Sequence, residues 1–389
     1  MDFYEIETKY GAGVYAKQQL SIVRGQGAIL FDVDGNEYLD CSSGHGVANL
    51  GHAHPKIAAA IAEQASTLIT LFESYPNDKR AALMQKLASL VPGLERVFFC
   101  NSGTEAVEAA LKFARLSTGP LRANIVAAMR AFHGRTFGSL SATFNKKYRQ
   151  GVEPLVPGFS HVPYNNVEAL ENAVTDETAA VILEVIQGEG GVYPADVDYI
   201  QAARRICDER GALLIVDEIQ SGFGRTGKMF AVQHFDVTPD LLCCAKSLAG
   251  GVPIGAVLIG EKVQNLTPGV HGSTFGGNPL SCAAALAALA AIEEEDLAGQ
   301  AVEKGAYLME KLCQIESPLI REVRGMGLMV GIELKQKVTP YLKALQEKRV
   351  IALNAGMTVL RLLPPLVISY EQIDRLVDAL TEVLADEKI

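Results

Sequence analysis

A chain of 389 residues, 49% of them hydrophobic, can bury the core of one large domain and a smaller one. Its 45 acidic against 35 basic side chains give a formal charge of −10, which disfavours sequence-independent nucleic-acid binding, because that relies on Lys and Arg to neutralise phosphates. No membrane partner is expected either: the longest apolar run, Cys282 to Ile292, is too short for a bilayer and closes on Glu293, Glu294 and Glu295.

The stretch Met1 to Tyr10 carries acids and lacks the apolar centre of a signal peptide. Seven scattered cysteines without paired metal spacings suit a reducing compartment. The expected location is therefore cytoplasmic. Residues Ile29 to Asp40 alternate around Asp34-Gly35-Asn36, the pattern of a β-hairpin. Glu105 to Leu116 reads as a helix entered through Asn101-Ser102-Gly103-Thr104. Buried strands are expected at Asn124 to Met129, Ala179 to Ile186, Ala212 to Ile219 and Gly255 to Ile259, with amphipathic stretches between them. One of these, Tyr199 to Arg210, has helical spacing and ends at Gly211, a C-cap residue. Asn278 to Asp296 is an alanine-rich helix suited to bridging two domains, and Ile320 to Leu334 and Tyr370 to Leu384 suggest further strands and helices. The fold class is α/β, with a mostly parallel central sheet in a large domain at 53–280. A small α+β domain is built from both chain ends, 1–52 and 281–389.

Four features carry chemistry. Asp217 ends the apolar strand Leu213-Leu214-Ile215-Val216, where open α/β sheets bind ligands; a turn former or helix cap is the plainer reading. Lys246 follows the apolar run Leu241 to Ala245. Burial there lowers an amine's pKa and favours attack on a carbonyl, although a snorkelling surface lysine has the same look. Ser102-Gly103-Thr104 opens a helix with small residues, as a phosphate site requires, and as an ordinary cap also does. A second small, hydroxyl-rich turn runs from Gly272 to Pro279. Acid, lysine and two phosphate-type turns together define a cofactor site.

These motifs resemble the class III (ω-) aminotransferases among the fold-type I pyridoxal phosphate enzymes. The resemblance runs from Tyr15 to about Ile373 through Asn101-Ser102-Gly103-Thr104-Glu105, Phe132-His133-Gly134-Arg135-Thr136, Glu184 to Glu189, Asp217-Glu218-Ile219-Gln220, Ala245-Lys246 and Gly272 to Pro279. Within the family it is similar to the acetylornithine branch of arginine biosynthesis and to the lysine-pathway branch acting on carrier-bound lysine or aminoadipate semialdehyde. It implies pyridoxal 5′-phosphate as cofactor, held by Lys246 as a Schiff base. Asp217 is then catalytic with Lys246, keeping the ring nitrogen protonated. Ser102, Gly103, Thr104, Phe132, Glu218, Ile219 and Gln220 bind the cofactor, together with Thr274 from a partner subunit. Tyr15, Arg135, Glu189, Ser273 and Arg361 bind substrate. Arg361 is expected to take the glutamate α-carboxylate, with Glu189 as its movable counter-ion, and Arg135 the distal acid.

Small amino acids and 2-oxoglutarate are the implied substrates, a homodimer the implied unit, and an acidic amino-group carrier protein a further partner, with Lys146-Lys147-Tyr148-Arg149 either its docking site or a solvated face. His45 stands where the lysine branch has Tyr and the arginine branch an aliphatic residue. His45, His52 and His54 lack an acid or Cys at ligand spacing, so a turn closed by Pro55 is preferred to a metal site. His133 reads as structural. A glutamate-semialdehyde aminomutase or an epimerase shares the cofactor features and needs no co-substrate, but Arg361 and Glu189 favour the transferase; a γ-aminobutyrate or ornithine aminotransferase is the alternative among transferases. A nucleotide-dependent oxidoreductase needs a G-x-G-x-x-G lying between a strand and a helix with an acid about twenty residues on, a setting that Gly222, Gly224 and Gly227 do not have, and a serine hydrolase needs a G-x-S-x-G, which the chain lacks.

Overall fold

The computed structural model describes residues 3–385; Met1, Asp2 and residues 386–389, which the expected end segments include, lie outside the described residues. A seven-stranded sheet forms the centre, in the order Arg96–Cys100, Gly255–Ile259, Leu241–Cys244, Leu213–Asp217, Thr178–Leu183, Asn124–Ala128 and Phe159–Val162. Four inner strands, Gly255–Ile259, Leu241–Cys244, Leu213–Asp217 and Thr178–Leu183, are buried along their whole length, which is why they read as apolar runs.

Leu213–Asp217 pairs in parallel with Leu241–Cys244 on one side and Thr178–Leu183 on the other. Gly255–Ile259 runs antiparallel to both of its neighbours, a departure from the parallel pattern that alternating strands and helices suggest. The link from Cys244 to Gly255 holds only a short 3₁₀ turn, Lys246–Ala249, whereas a parallel return needs a longer crossover.

The expected helices are present: Gly103–Thr118, Val197–Arg210, Pro279–Glu294 and Tyr370–Ala385. Gly211 closes the second of them in a left-handed conformation (φ 66°). The N-terminal hairpin pairs Ile29–Asp32 with Glu37–Asp40, and Val350–Ile351 joins the same sheet beside Glu37–Asp40. A further sheet, in the order Ile320–Met326, Met329–Leu334, Val359–Leu362 and Leu353–Ala355, carries Arg361 opposite Gly331 and Leu353. No helix among the described residues is long and apolar enough to cross a membrane.

Candidate active site

A cavity of about 410 Å³ opens where the central strands end, and Ser102, Thr104, Phe132, Arg135, Asp217 and Lys246 are among its lining residues. Asp217 is the last residue of its strand. Its Oδ2 lies 2.8 Å from His133 Nδ1, and its Oδ1 accepts from the Ile219 N–H at 3.1 Å. His133 is itself buried, so its place is behind the acid, holding it still, in accord with a structural reading.

Lys246 begins the turn after the next strand, in a left-handed backbone conformation (φ 45°). Burial brings its amine down to about 8; Arg361 adds to this, while Glu189, Asp217 and Glu184 oppose it. A lysine so placed is a nucleophile near neutral pH.

The helix Gly103–Thr118 points its N-terminus at the cavity. Ser102 caps it, its hydroxyl accepting from the Glu105 N–H at 3.4 Å. Thr104 Oγ1 lies 2.7 Å from Ser139 Oγ and 2.9 Å from Thr136 Oγ1. First-turn N–H groups of such a helix have no partners inside it and suit an anion.

Arg361 enters from the other sheet. Its strand end is pinned by neighbours: Leu363 N–H donates to Cys41 O, Ser43 Oγ to Leu363 O, and the buried Arg225 to Pro364 O. Arg361 is wholly buried, with Nη1 2.7 Å from Glu189 Oε1 and 3.1 Å from Gln220 Oε1, and its Nε and Nη2 have no partner. Burial pushes the Glu189 carboxyl up, but Arg361 prevails and holds it below its usual value. His45 sits in a left-handed turn (φ 65°) with Ser43, Gly44 and Gly46. Partial burial and the Arg361 charge push its imidazole down, against the opposing pull of Glu189.

Some expected residues fall elsewhere. Glu218 does not line the cavity: its carboxylate accepts from Ser221 Oγ and the Val232 N–H, and burial raises it to about 7. Tyr15 is 77% exposed and away from the cavity. Ser273 Oγ accepts from Asn101 Nδ2 at 3.1 Å, and Thr274 is exposed. The other histidines have ordinary partners: His52 Nε2 is 2.7 Å from Asp40 Oδ2, and His54 precedes the helix-starting Pro55.

Glu184 is a residue the motif contained without a role assigned to it. Leu183 pairs with Val216, so Glu184 and Asp217 are neighbours at adjacent strand ends. Glu184 accepts from the Phe132 N–H at 3.0 Å and the Gly188 N–H at 3.3 Å, and burial lifts it to about 7.

The family model for aminotransferase class III matches residues 11–384. The chain is a class III aminotransferase. It is 53% identical to the [LysW]-aminoadipate semialdehyde transaminase of Deinococcus radiodurans, over 97% of this chain and 89% of that one. It is 46% identical to the acetylornithine aminotransferase of Methanocaldococcus jannaschii, over 100% and 99%. Among solved structures, the ornithine aminotransferase of Toxoplasma gondii superposes with a TM-score of 0.95 at 35% identity, covering 98% of this chain and 94% of that one. The fold is that of the fold-type I enzymes, and the cofactor of this aminotransferase is pyridoxal phosphate. The site fits it: an amine for the aldehyde, a carboxylate for the ring nitrogen, and an open helix N-terminus for the phosphate.

Proposed function

We propose that this aminotransferase moves the ω-amino group of a small acid-bearing amine, acetylornithine or a carrier-bound lysine or aminoadipate semialdehyde, to 2-oxoglutarate. The observation that carries this reading is Arg361, fully buried with two unpartnered nitrogens and one shared with Glu189. A guanidinium in that state has a counter-ion for the amine half-reaction and free donors for an incoming α-carboxylate. Removing one partner of a buried ion pair costs roughly 3–5 kcal/mol, so Glu189 leaves only when a carboxylate replaces it.

The bound cofactor supplies an electron-withdrawing ring. Around it, Lys246 would serve as the proton carrier at its Nζ, and Asp217, steadied by His133, would hold the ring nitrogen protonated. Phe132 and Ile219 would pack on the ring, Gln220 would donate to its phenolic oxygen, and Ser102, Gly103 and Thr104 would take the phosphate. Gln220 Oε1 already accepts from Arg361, which leaves its amide N–H groups as the donors for that task. Arg135 takes the distal acid.

The names of the Deinococcus and Methanocaldococcus relatives support the two amine classes. The exposed Lys146 and Lys147 near Arg135 support docking of an acidic carrier. We place the enzyme in the cytoplasm as a homodimer, with Ser273 and Thr274 facing the neighbouring subunit's site. The division into 1–52, 53–280 and 281–389 is supported by the sheet that joins the N-terminal hairpin to Val350–Ile351.

Single-turnover rates of both half-reactions test the function. Wild-type enzyme is expected to react with acetylornithine or the carrier-bound amine and with glutamate, faster than with γ-aminobutyrate or free ornithine. Glu189→Ala should spare glutamate and slow the ω-amine, and Arg361→Ala should slow glutamate most. Equal losses for both substrates in Glu189→Ala would remove the switch.

A further inference from the structure

Taking as given the reading that Arg135 grips the distal acid, we infer that Tyr148 is a positioning residue that presents the Arg135 guanidinium to that acid. Arg135 lies 3.7 Å from the Tyr148 ring centroid and 6.0 Å from that of Phe132. The two rings meet edge to face, 5.8 Å apart at 82°. Arg135 and Phe132 line the cavity, and Tyr148 does not.

No carboxylate pairs with Arg135 among the described residues; aromatic faces hold it instead. The difference is chemical. A carboxylate would occupy the planar fork and cancel its charge, whereas a ring face fixes the plane and leaves every N–H at its edge free for a bidentate acid. Preorganising the fork lowers the ordering cost of binding.

Tyr148 is anchored for this. It belongs to the short helix Lys146–Arg149, capped by Asn145, whose side chain accepts from the Lys147 N–H at 3.0 Å. Tyr148 is part-buried while Lys146 and Lys147 beside it are exposed. The basic run is thus two surfaces: lysines facing out, and a tyrosine facing the substrate arginine.

The experiment uses the holoenzyme with an acid-bearing ω-amine, an acid-free alkylamine, and N-acetylnorvaline, which has the acid but no amine to transfer. Tyr148→Leu is expected to raise KM for the acid-bearing amine about tenfold with kcat little changed, and to leave the alkylamine unaffected. Calorimetric binding of N-acetylnorvaline should weaken by the same factor. Tyr148→Phe keeps the ring face and should match wild type. Equal KM in Tyr148→Leu and wild type overturns the inference, as does a loss in Tyr148→Phe as large as in Tyr148→Leu, or a loss shared by the alkylamine. Should Tyr148→Leu not fold, Tyr148→Trp replaces it: its ring face must hold acid affinity at or above wild type, and weaker affinity overturns the inference. Arg135→Ala separates the two readings, since an unchanged preference for the acid-bearing amine in that variant removes Arg135 from the acid site and the role of Tyr148 with it.

Discussion

In the role proposed for Lys246, its surroundings decide how the cofactor would be captured. An amine attacks an aldehyde only in its neutral form, and burial brings this one down to about 8 from the ordinary 10.5. The sign follows directly: below about 8 the group is mostly protonated and inert, and above it mostly neutral. Uptake of pyridoxal phosphate by the cofactor-free enzyme should therefore speed up with rising pH and level off above about 8, while Lys246→Ala should fold and form no visible chromophore. A rate still climbing steeply at about pH 10, or a borohydride-reducible link in the variant, would contradict the assignment. That Lys246 and Asp217 come together, buried, at the cavity was legible from sequence because each closes an apolar run. Arg361 and Glu189 were not readable that way: they lie 172 positions apart by their own numbers, and the resemblance alone linked them. Glu184 and the His133–Asp217 contact depend on strand register and a distant loop, which no local pattern encodes.

The element that brings these residues together is the turn after strand Thr178–Leu183, where Ile186–Gln187 pairs with Tyr193–Pro194 and Gly188 to Gly191 forms the tip. Gly188 is needed for closeness: a Cβ there would collide with the carboxamide of Gln220, the group that Arg361 also bonds. That carboxamide ends a flexible side chain and can move aside. Gly188→Ala should accordingly cost little stability, a change in Tm of no more than a few degrees, yet displace Gln220 and slow the glutamate half-reaction about tenfold or more. Thermal melts beside single-turnover rates check this, and unchanged kinetics would mean that Gln220 is not held by the close approach. Elements were legible where local chemistry is strong, as in the hairpin around Asp34-Gly35-Asn36 and the Gly211 cap. The reversed strand Gly255–Ile259 was not, because an apolar run buried on both faces has the same composition in either direction.

The whole molecule carries an exposed apolar face that a single chain leaves unexplained. Ile69, Phe72, Tyr75 and Phe275 are 52–69% exposed. They belong to one surface, because the buried Arg80 side chain donates to Leu71 O, Glu73 O and Tyr75 O on one segment and to Gly277 O on the other. Contiguous apolar surface of this kind suits the interface of the proposed homodimer, and Thr274 stands in it, exposed and outside its own chain's cavity. In the proposed homodimer, two-fold symmetry would set this patch against its copy and carry Thr274 toward the neighbouring site. If each site joins Lys246 of one subunit to Thr274 of the other, two defective chains can make one sound site. Lys246→Ala has no amine, and Thr274→Asp sets a carboxylate against the cofactor phosphate, so each parent dimer should be nearly inactive. A hybrid of the two has one site with both native residues. Equal mixing with free exchange yields half hybrids with one good site in two, so activity should recover to about a quarter of wild type per subunit. Recovery no greater than the sum of the parents, with exchange verified by mass-tagged subunits, would mean that each chain's site is complete in itself.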